Sequence, residues 1–118
     1  MISMREAYEK IGANYDDACA RLMGEEMLAR FALKFLDDES MDKLEAAMAA
    51  GDAKEAFMAA HTLKGLSQNL GFDNLYEPAV VVTEALRGAD AVDGAREGMH
   101  ALQQQYAATM SALREAAE

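Results

Sequence analysis

The sequence predicts an all-α domain, folded as an antiparallel helical bundle, from three observations. Residues that favour helices, above all Ala, Glu, Leu, Met and Lys, dominate the chain, and it contains a single Pro. Stretches with helical spacing of apolar residues alternate with short breaks rich in Gly, Asp, Asn and Ser. Hydrophobic residues make up 52% of the chain, which is enough for one core. A length of 118 residues leaves little room for a second domain.

Capping signals divide the chain into consecutive helices. Ser3 and Glu6 have the spacing of a capping box, and Asn14, Ser40 and Asp52 are placed as N-caps of later helices. Short connections between long helices predict antiparallel neighbours, hence an up-down-up-down four-helix bundle with an additional short N-terminal helix. The expected helices are 3–11, 15–23, 25–36, 41–50, 53–70, 73–88 and 92–116, in a single domain over 1–118 where residues 1–11 cover a bundle formed by 12–118.

Pro78 conflicts with a helix that begins at Asp73 or Asn74, because a proline ring crowds the carbonyl one turn earlier. A regular helix that begins at Glu77 would put Pro78 at an acceptable early position. We therefore expect a distorted start to this helix.

Net charge and composition exclude several classes of function. The chain carries a net charge of −10 and shows no basic stripe, so binding to nucleic acids is not expected. No signal segment and no run of ~18 apolar residues is present, which predicts a cytoplasmic protein that does not enter membranes. Two His and one Cys are too few for a zinc site, and Cys19 is expected to be a small buried thiol. The acidic surface and the lack of a sustained heptad seam favour a monomer.

The informative stretch surrounds His61. On a helix with ~100° per residue, Gln68, Gly65 and Lys64 lie within ~60° of His61. His61 should therefore point to solvent. The second histidine, His100, is interpreted as an incidental surface residue. The core face of the same helix should consist of Ala59, Leu63, Leu66 and Leu70.

These residue types suit a surface that accepts a phosphoryl group. An imidazole is nucleophilic near neutral pH and can hold the group covalently. Lys64 would offset charge on the phosphate oxygens, and Gln68 and Ser67 would add hydrogen bonds. Gly65 costs a helix about 1 kcal/mol relative to Ala, which indicates that something must approach the backbone there. No phosphate-binding Gly-rich loop exists, so ATP must be bound by another protein.

Two apolar residues flank His61 on the helical wheel. Phe57 and Met58 lie at ~40° and ~60° from it and should be partly exposed. They are either bundle-edge residues or part of a docking surface for partners. Residues 31–36 of a preceding helix are further candidates for that surface.

The run His61-Thr62-Leu63-Lys64-Gly65, followed by Asn69-Leu70-Gly71, strongly resembles the signature of histidine-containing phosphotransfer (HPt) domains. The resemblance implies a four-helix bundle whose exposed histidine takes a phosphoryl group from an aspartate of one receiver domain and gives it to another. It implies His61 as phosphoacceptor, Lys64 as phosphate-stabilising cation, Gly65 as the source of clearance and Gly71 as the end of the helix.

The resemblance also implies partners and one departure. Receiver domains and a hybrid histidine kinase are the expected partners, Mg²⁺ belongs to the receiver, and the chain needs no cofactor and has no kinase activity of its own. Many members carry Gln or Glu on the following helix, bonded to the second imidazole nitrogen. The matching position here is Thr83, whose hydroxyl could make that bond, or Glu84 could substitute.

Two alternative functions fit the same helices. A docking or scaffold module would use the His61 face without phosphotransfer. A phosphoacceptor domain of a histidine kinase would be charged in trans by a separate ATP-binding domain.

Overall fold

The computed structural model describes residues 1–117 and is all-α over that range. Two short 3₁₀ turns, Phe35–Asp37 and Asp93–Ala95, interrupt the series of α-helices. The helices are α1 (Met4–Ile11), α2 (Tyr15–Leu22), α3 (Glu25–Lys34), α4 (Ser40–Ala50), α5 (Ala53–Asn69), α6 (Asp73–Leu86) and α7 (Arg96–Ala117).

Side-chain caps begin several helices where the sequence predicts them. The Ser3 hydroxyl accepts a hydrogen bond from the Glu6 amide, and the Glu6 carboxylate accepts one from the Ser3 amide, so the capping box is complete. The Asn14 and Asp52 side chains cap α2 and α5 by accepting hydrogen bonds from the Asp17 and Glu55 amides. These bonds satisfy amides that have no partner inside the helix.

The prediction of Ser40 as an N-cap is wrong. Ser40 is the first residue of α4 and is buried, and Glu39 takes the cap position without a side-chain bond. The carboxylate of Asp38 accepts the Ser40 amide at 2.9 Å, so the orphan donor is satisfied from one residue further upstream.

Other boundaries differ by a few residues. The helix expected over 25–36 ends at Lys34 and continues as the first 3₁₀ turn, and the last helix begins at Arg96 after the second turn rather than at Val92. Helix α6 begins at Asp73 and runs through Pro78, so the earlier of the two possible starts is the one observed. Because proline has no N–H, the Asn74 carbonyl loses its bond within the helix.

Helix α5 lies at the centre of the packing. It packs along both α4 and α6, α6 also packs against α7, and α1 lies against α7. At one point α6 and α7 approach closely, since a Cβ placed on Gly98 would lie 3.3 Å from methyl groups of Val81 and Val82. The core is apolar and continuous across the helices, with fully buried Leu28, Leu44, Leu63, Leu75, Leu102 and Leu113.

The N-terminal helices hold the end of α5. The buried Tyr8 hydroxyl donates to the Leu70 carbonyl at 2.7 Å, and its ring packs on Phe72 at 5.2 Å between centroids. The Asn14 amide donates to the Gly71 carbonyl at 2.8 Å. Gly71 has φ +70°, and a Cβ there would lie 2.6 Å from the Asn14 oxygen, so only glycine fits.

Candidate functional site

His61 lies in the middle of α5 and is exposed to solvent. The opposite face of the helix is buried, with Ala59, Leu63 and Leu70 in the core and Leu66 half-buried. The helical spacing that predicts an outward-facing imidazole is thereby confirmed. Gln68 lies two turns further along the same strip and is also exposed.

The imidazole packs on one side against an aromatic ring. The rings of Phe57 and His61 are nearly parallel, with an angle of 18° between their planes and 5.8 Å between their centroids. Phe57 is half-buried, whereas its neighbour Met58 is 58% exposed. Both residues are thus partly exposed, as the helical wheel predicts.

Charged side chains of α6 and α5 flank the same area. The Arg87 guanidinium lies 5.1 Å from the centre of the Phe57 ring and donates two hydrogen bonds of 3.1 Å to the Glu84 carboxylate. The hydrogen bond from Arg87 lowers the pKa of Glu84, and the electrostatic influence of Arg87, Lys64 and His61 lowers it further. Glu84 is therefore an anion, and it lies close enough to Lys64 and His61 of α5 to interact with them electrostatically.

The surface at Gly65 is open. A Cβ placed on Gly65 would meet nothing within 4 Å, so no contact inside the chain requires a glycine there. Gly71, just beyond the C-terminal end of α5, is the opposite case, because its backbone conformation and its neighbours both demand glycine. Gly65 thus lowers the stability of the helix, and no contact within residues 1–117 explains why a glycine is there.

A family model described as the Hpt domain matches residues 37–116, more than half of the chain and including the whole of α5. The chain belongs to the Hpt domain family. Membership implies histidine phosphotransfer in a phosphorelay, by a phosphocarrier module without kinase activity, with receiver domains and kinases as partners. No curated protein and no solved structure matches the chain.

Two residues expected at the site of this Hpt domain do not lie on its surface. Ser67 is buried, and its hydroxyl donates to the Leu63 carbonyl at 2.7 Å, so it is not available to a partner. Thr83 is buried too, and its hydroxyl donates to the Ala79 carbonyl at 2.7 Å. Both follow the habit of helical Ser and Thr of bonding a carbonyl one turn back. Within residues 1–117, no side chain hydrogen-bonds the His61 ring.

An open groove borders the site on the side away from α6. It has a volume of about 660 Å³ and lies between the end of α3, the start of α4 and α5. Phe31, 38% exposed, lines it together with Thr62 and Leu66, whereas Phe35 borders it from below and is buried in the core. Among residues 31–36, Phe31 is therefore the large aromatic side chain that reaches the surface. A second groove of about 610 Å³ between α4 and α5 extends it to Met58.

Arg87 is a residue of this region that the sequence does not single out, and among the candidates 31–36 the sequence does not show which side chain faces outward. Both points depend on how the helices are rotated relative to one another, which no local pattern encodes. In the part of the chain that the structure describes, no three His, Cys, Asp or Glu side chains come together as a metal site. No helix of residues 1–117 is long and apolar enough to cross a bilayer.

Proposed function

We propose that this Hpt domain relays phosphoryl groups between aspartates of receiver domains, with His61 as the residue that carries them. The observation that supports it most strongly is the exposed imidazole in the middle of α5, with unfilled space over Gly65 one turn away. A buried histidine could not be reached by a second protein. One beside a larger residue would be reached less easily.

In the proposed reaction, an imidazole nitrogen of His61 attacks the phosphorus of an aspartyl phosphate on a receiver. The N–P bond forms as the acyl O–P bond breaks, and the aspartate leaves as a carboxylate. The reverse attack by the aspartate of a second receiver regenerates the free imidazole. Lys64 offsets negative charge on the transferred group, Gln68 donates a hydrogen bond to it, and Mg²⁺ is supplied by the receiver.

The docking surface of the proposal lies on α5 and the grooves beside it. Met58 is exposed there, and Phe31 lines the larger groove. Exposed apolar side chains around a reactive group suit an interface of moderate affinity. Phe57 contributes less area to it because its ring already packs on His61.

Three further points belong to the proposal. The long helices α4 to α7 alternate in direction as an up-down-up-down bundle, and residues 1–36 belong to the same folding unit. The chain acts as a monomer without a cofactor of its own, in the cytoplasm. A hybrid histidine kinase supplies the phosphoryl groups through its receiver domain.

The test is phosphotransfer from a panel of receivers charged on aspartate by a small phosphodonor with Mg²⁺. Wild type, His61→Gln and His100→Gln would be compared by intact mass and by the acid lability of the product. His100 is a matched control, because it is the only other histidine in the sequence and is exposed on α7. We expect acid-labile phosphate on wild type and His100→Gln alone.

Two other outcomes would change the assignment. Phosphate on His61→Gln would rule out His61 as the carrier. Receivers that bind wild type and His61→Gln equally, with no transfer, would point to a docking module on the same fold.

A further inference from the structure

The orientation of an exposed histidine on a helix is not fixed by its own backbone. The second side-chain torsion of histidine is broad, so an isolated imidazole samples many orientations. In this Hpt domain the hydroxyl of Thr83, at the position expected to hold the ring, is turned to the Ala79 carbonyl. Another contact must therefore limit the imidazole if it is to meet a phosphoryl group in one geometry.

Phe57 makes such a contact. It lies one turn before His61 on α5, and the two ring planes are within 18° of each other at a centroid distance of 5.8 Å. Aromatic rings attract each other at such distances when they are offset and parallel. A parallel neighbour limits how far the imidazole tilts, while His61 as a whole remains exposed to a partner.

Phe57 is itself held from α6. Arg87 places its guanidinium 5.1 Å from the centre of the Phe57 ring, an arrangement that attracts the cation to the ring. The Glu84 carboxylate accepts both hydrogen bonds of 3.1 Å from that guanidinium. A continuous series of contacts thus runs from α6 through Arg87 and Phe57 to the imidazole.

We propose that Phe57, held by Arg87, is a positioning residue that sets the plane of the His61 imidazole for phosphotransfer. The inference rests on the proposed function of His61. It assigns to aromatic stacking the task that a hydrogen bond from α6 would otherwise perform. Phe57 acts through His61 and does not contact the transferred group.

The test combines nuclear magnetic resonance with saturation kinetics on Phe57→Leu and Phe57→Tyr. Leucine keeps apolar bulk against the helices and removes the ring, whereas tyrosine keeps the ring. Because an aromatic ring shifts the resonances of protons over its face, we expect the His61 ring protons to move in Phe57→Leu and to stay in Phe57→Tyr. The maximum rate of transfer from a saturating charged receiver should fall about two- to tenfold in Phe57→Leu, with rescue in Phe57→Tyr.

Two further variants guard against loss of folding or of docking. Arg87→Met removes the exposed guanidinium without touching the core, and smaller changes in the same direction are expected. Met58→Leu, at the exposed neighbour of Phe57, should leave the His61 resonances unchanged.

Three outcomes would overturn the inference. Unchanged His61 resonances in Phe57→Leu would show that the stack does not exist in solution. An increase in the receiver concentration at half-maximal rate, with the maximum rate unchanged, would make Phe57 a docking residue only. Absence of transfer to wild type would instead remove the proposed function, and with it the reaction that Phe57 serves.

Discussion

Replacement of Gly65 by alanine should stabilise the protein and impair its reaction. Gly65 lies inside α5, its φ is not in the left-handed region, and a Cβ there meets nothing within 4 Å. The substitution therefore gains the difference in helix propensity, about 1 kcal/mol, with no steric penalty inside the chain. For a domain of this size that gain corresponds to an increase of about 3–6 °C in the midpoint of thermal unfolding.

The same methyl group would stand beside the imidazole that a receiver must reach. A displacement of the incoming aspartyl phosphate by about 1 Å is enough to cost on the order of 100-fold in rate. We expect phosphotransfer to Gly65→Ala to slow by about 10- to 100-fold, while the free energy of unfolding increases.

The assays are urea denaturation followed by circular dichroism, and transfer from a charged receiver. Gly98→Ala is the control, because Gly98 is also helical but its Cβ would lie 3.3 Å from Val81 and Val82. It should gain less stability than Gly65→Ala, or lose some, and transfer at the wild-type rate. A decrease in stability on Gly65→Ala, or wild-type transfer by that variant, would refute the reasoning.

Three other perturbations test the packing around the end of α5. Gly71→Ala forces a left-handed φ on alanine and a clash with the Asn14 carbonyl, and should lower the free energy of unfolding in urea by about 2–4 kcal/mol. Tyr8→Phe removes the hydrogen bond to the buried Leu70 carbonyl and should cost about 1–2 kcal/mol in the same assay, whereas no loss would mean that water replaces it. Burial raises the pKa of Tyr15 from 10.0 to about 12, so the stability this contributes is present below pH 10 and is lost as pH rises towards 12. Thermal unfolding of Tyr15→Phe should show a smaller loss over that pH interval, and an identical loss would contradict the assignment.

Local chemistry made most helix boundaries predictable. A capping side chain bonds an amide two or three residues away, so Ser3, Asn14 and Asp52 act as caps whatever the rest of the fold does. The wrong prediction of Ser40 as an N-cap also has a local cause. Asp38, two residues upstream, offers a carboxylate to the Ser40 amide, and the helix begins one residue earlier than expected.

The hydroxyl residues of the candidate site were predicted less well. Ser67 is expected at the site for its hydrogen-bonding chemistry, and Thr83 because it matches the family position that bonds the imidazole. Both hydroxyls instead bond carbonyls of their own helices. The signal was present in the sequence, since Ser67 lies ~120° from His61 on the helical wheel, toward the core. The position of Thr83 depends on the rotation of α6, which spacing along α5 does not contain.

Side-chain contacts between different helices could not be predicted from the sequence. The exposure of His61 follows from the spacing of the apolar residues on the opposite face of its helix, such as Leu63, and it is confirmed. The approach of Arg87 to Phe57, thirty residues earlier in the chain, depends on how α6 is rotated relative to α5. A side chain as long as arginine could equally well have pointed to solvent from the same backbone position.

The packing of the N-terminal helices against the end of α5 determines where the domain can be cut for fusion to another protein. The family match begins at residue 37, yet Tyr8 and Leu28 before that point are wholly buried. Phe72 packs against two aromatic rings, Tyr8 at 5.2 Å and Phe35 at 5.5 Å, and both belong to the preceding segment. A fusion or chimera cut at the family boundary would therefore carry an open hydrophobic seam beside the end of its phosphoacceptor helix, and would be prone to self-association.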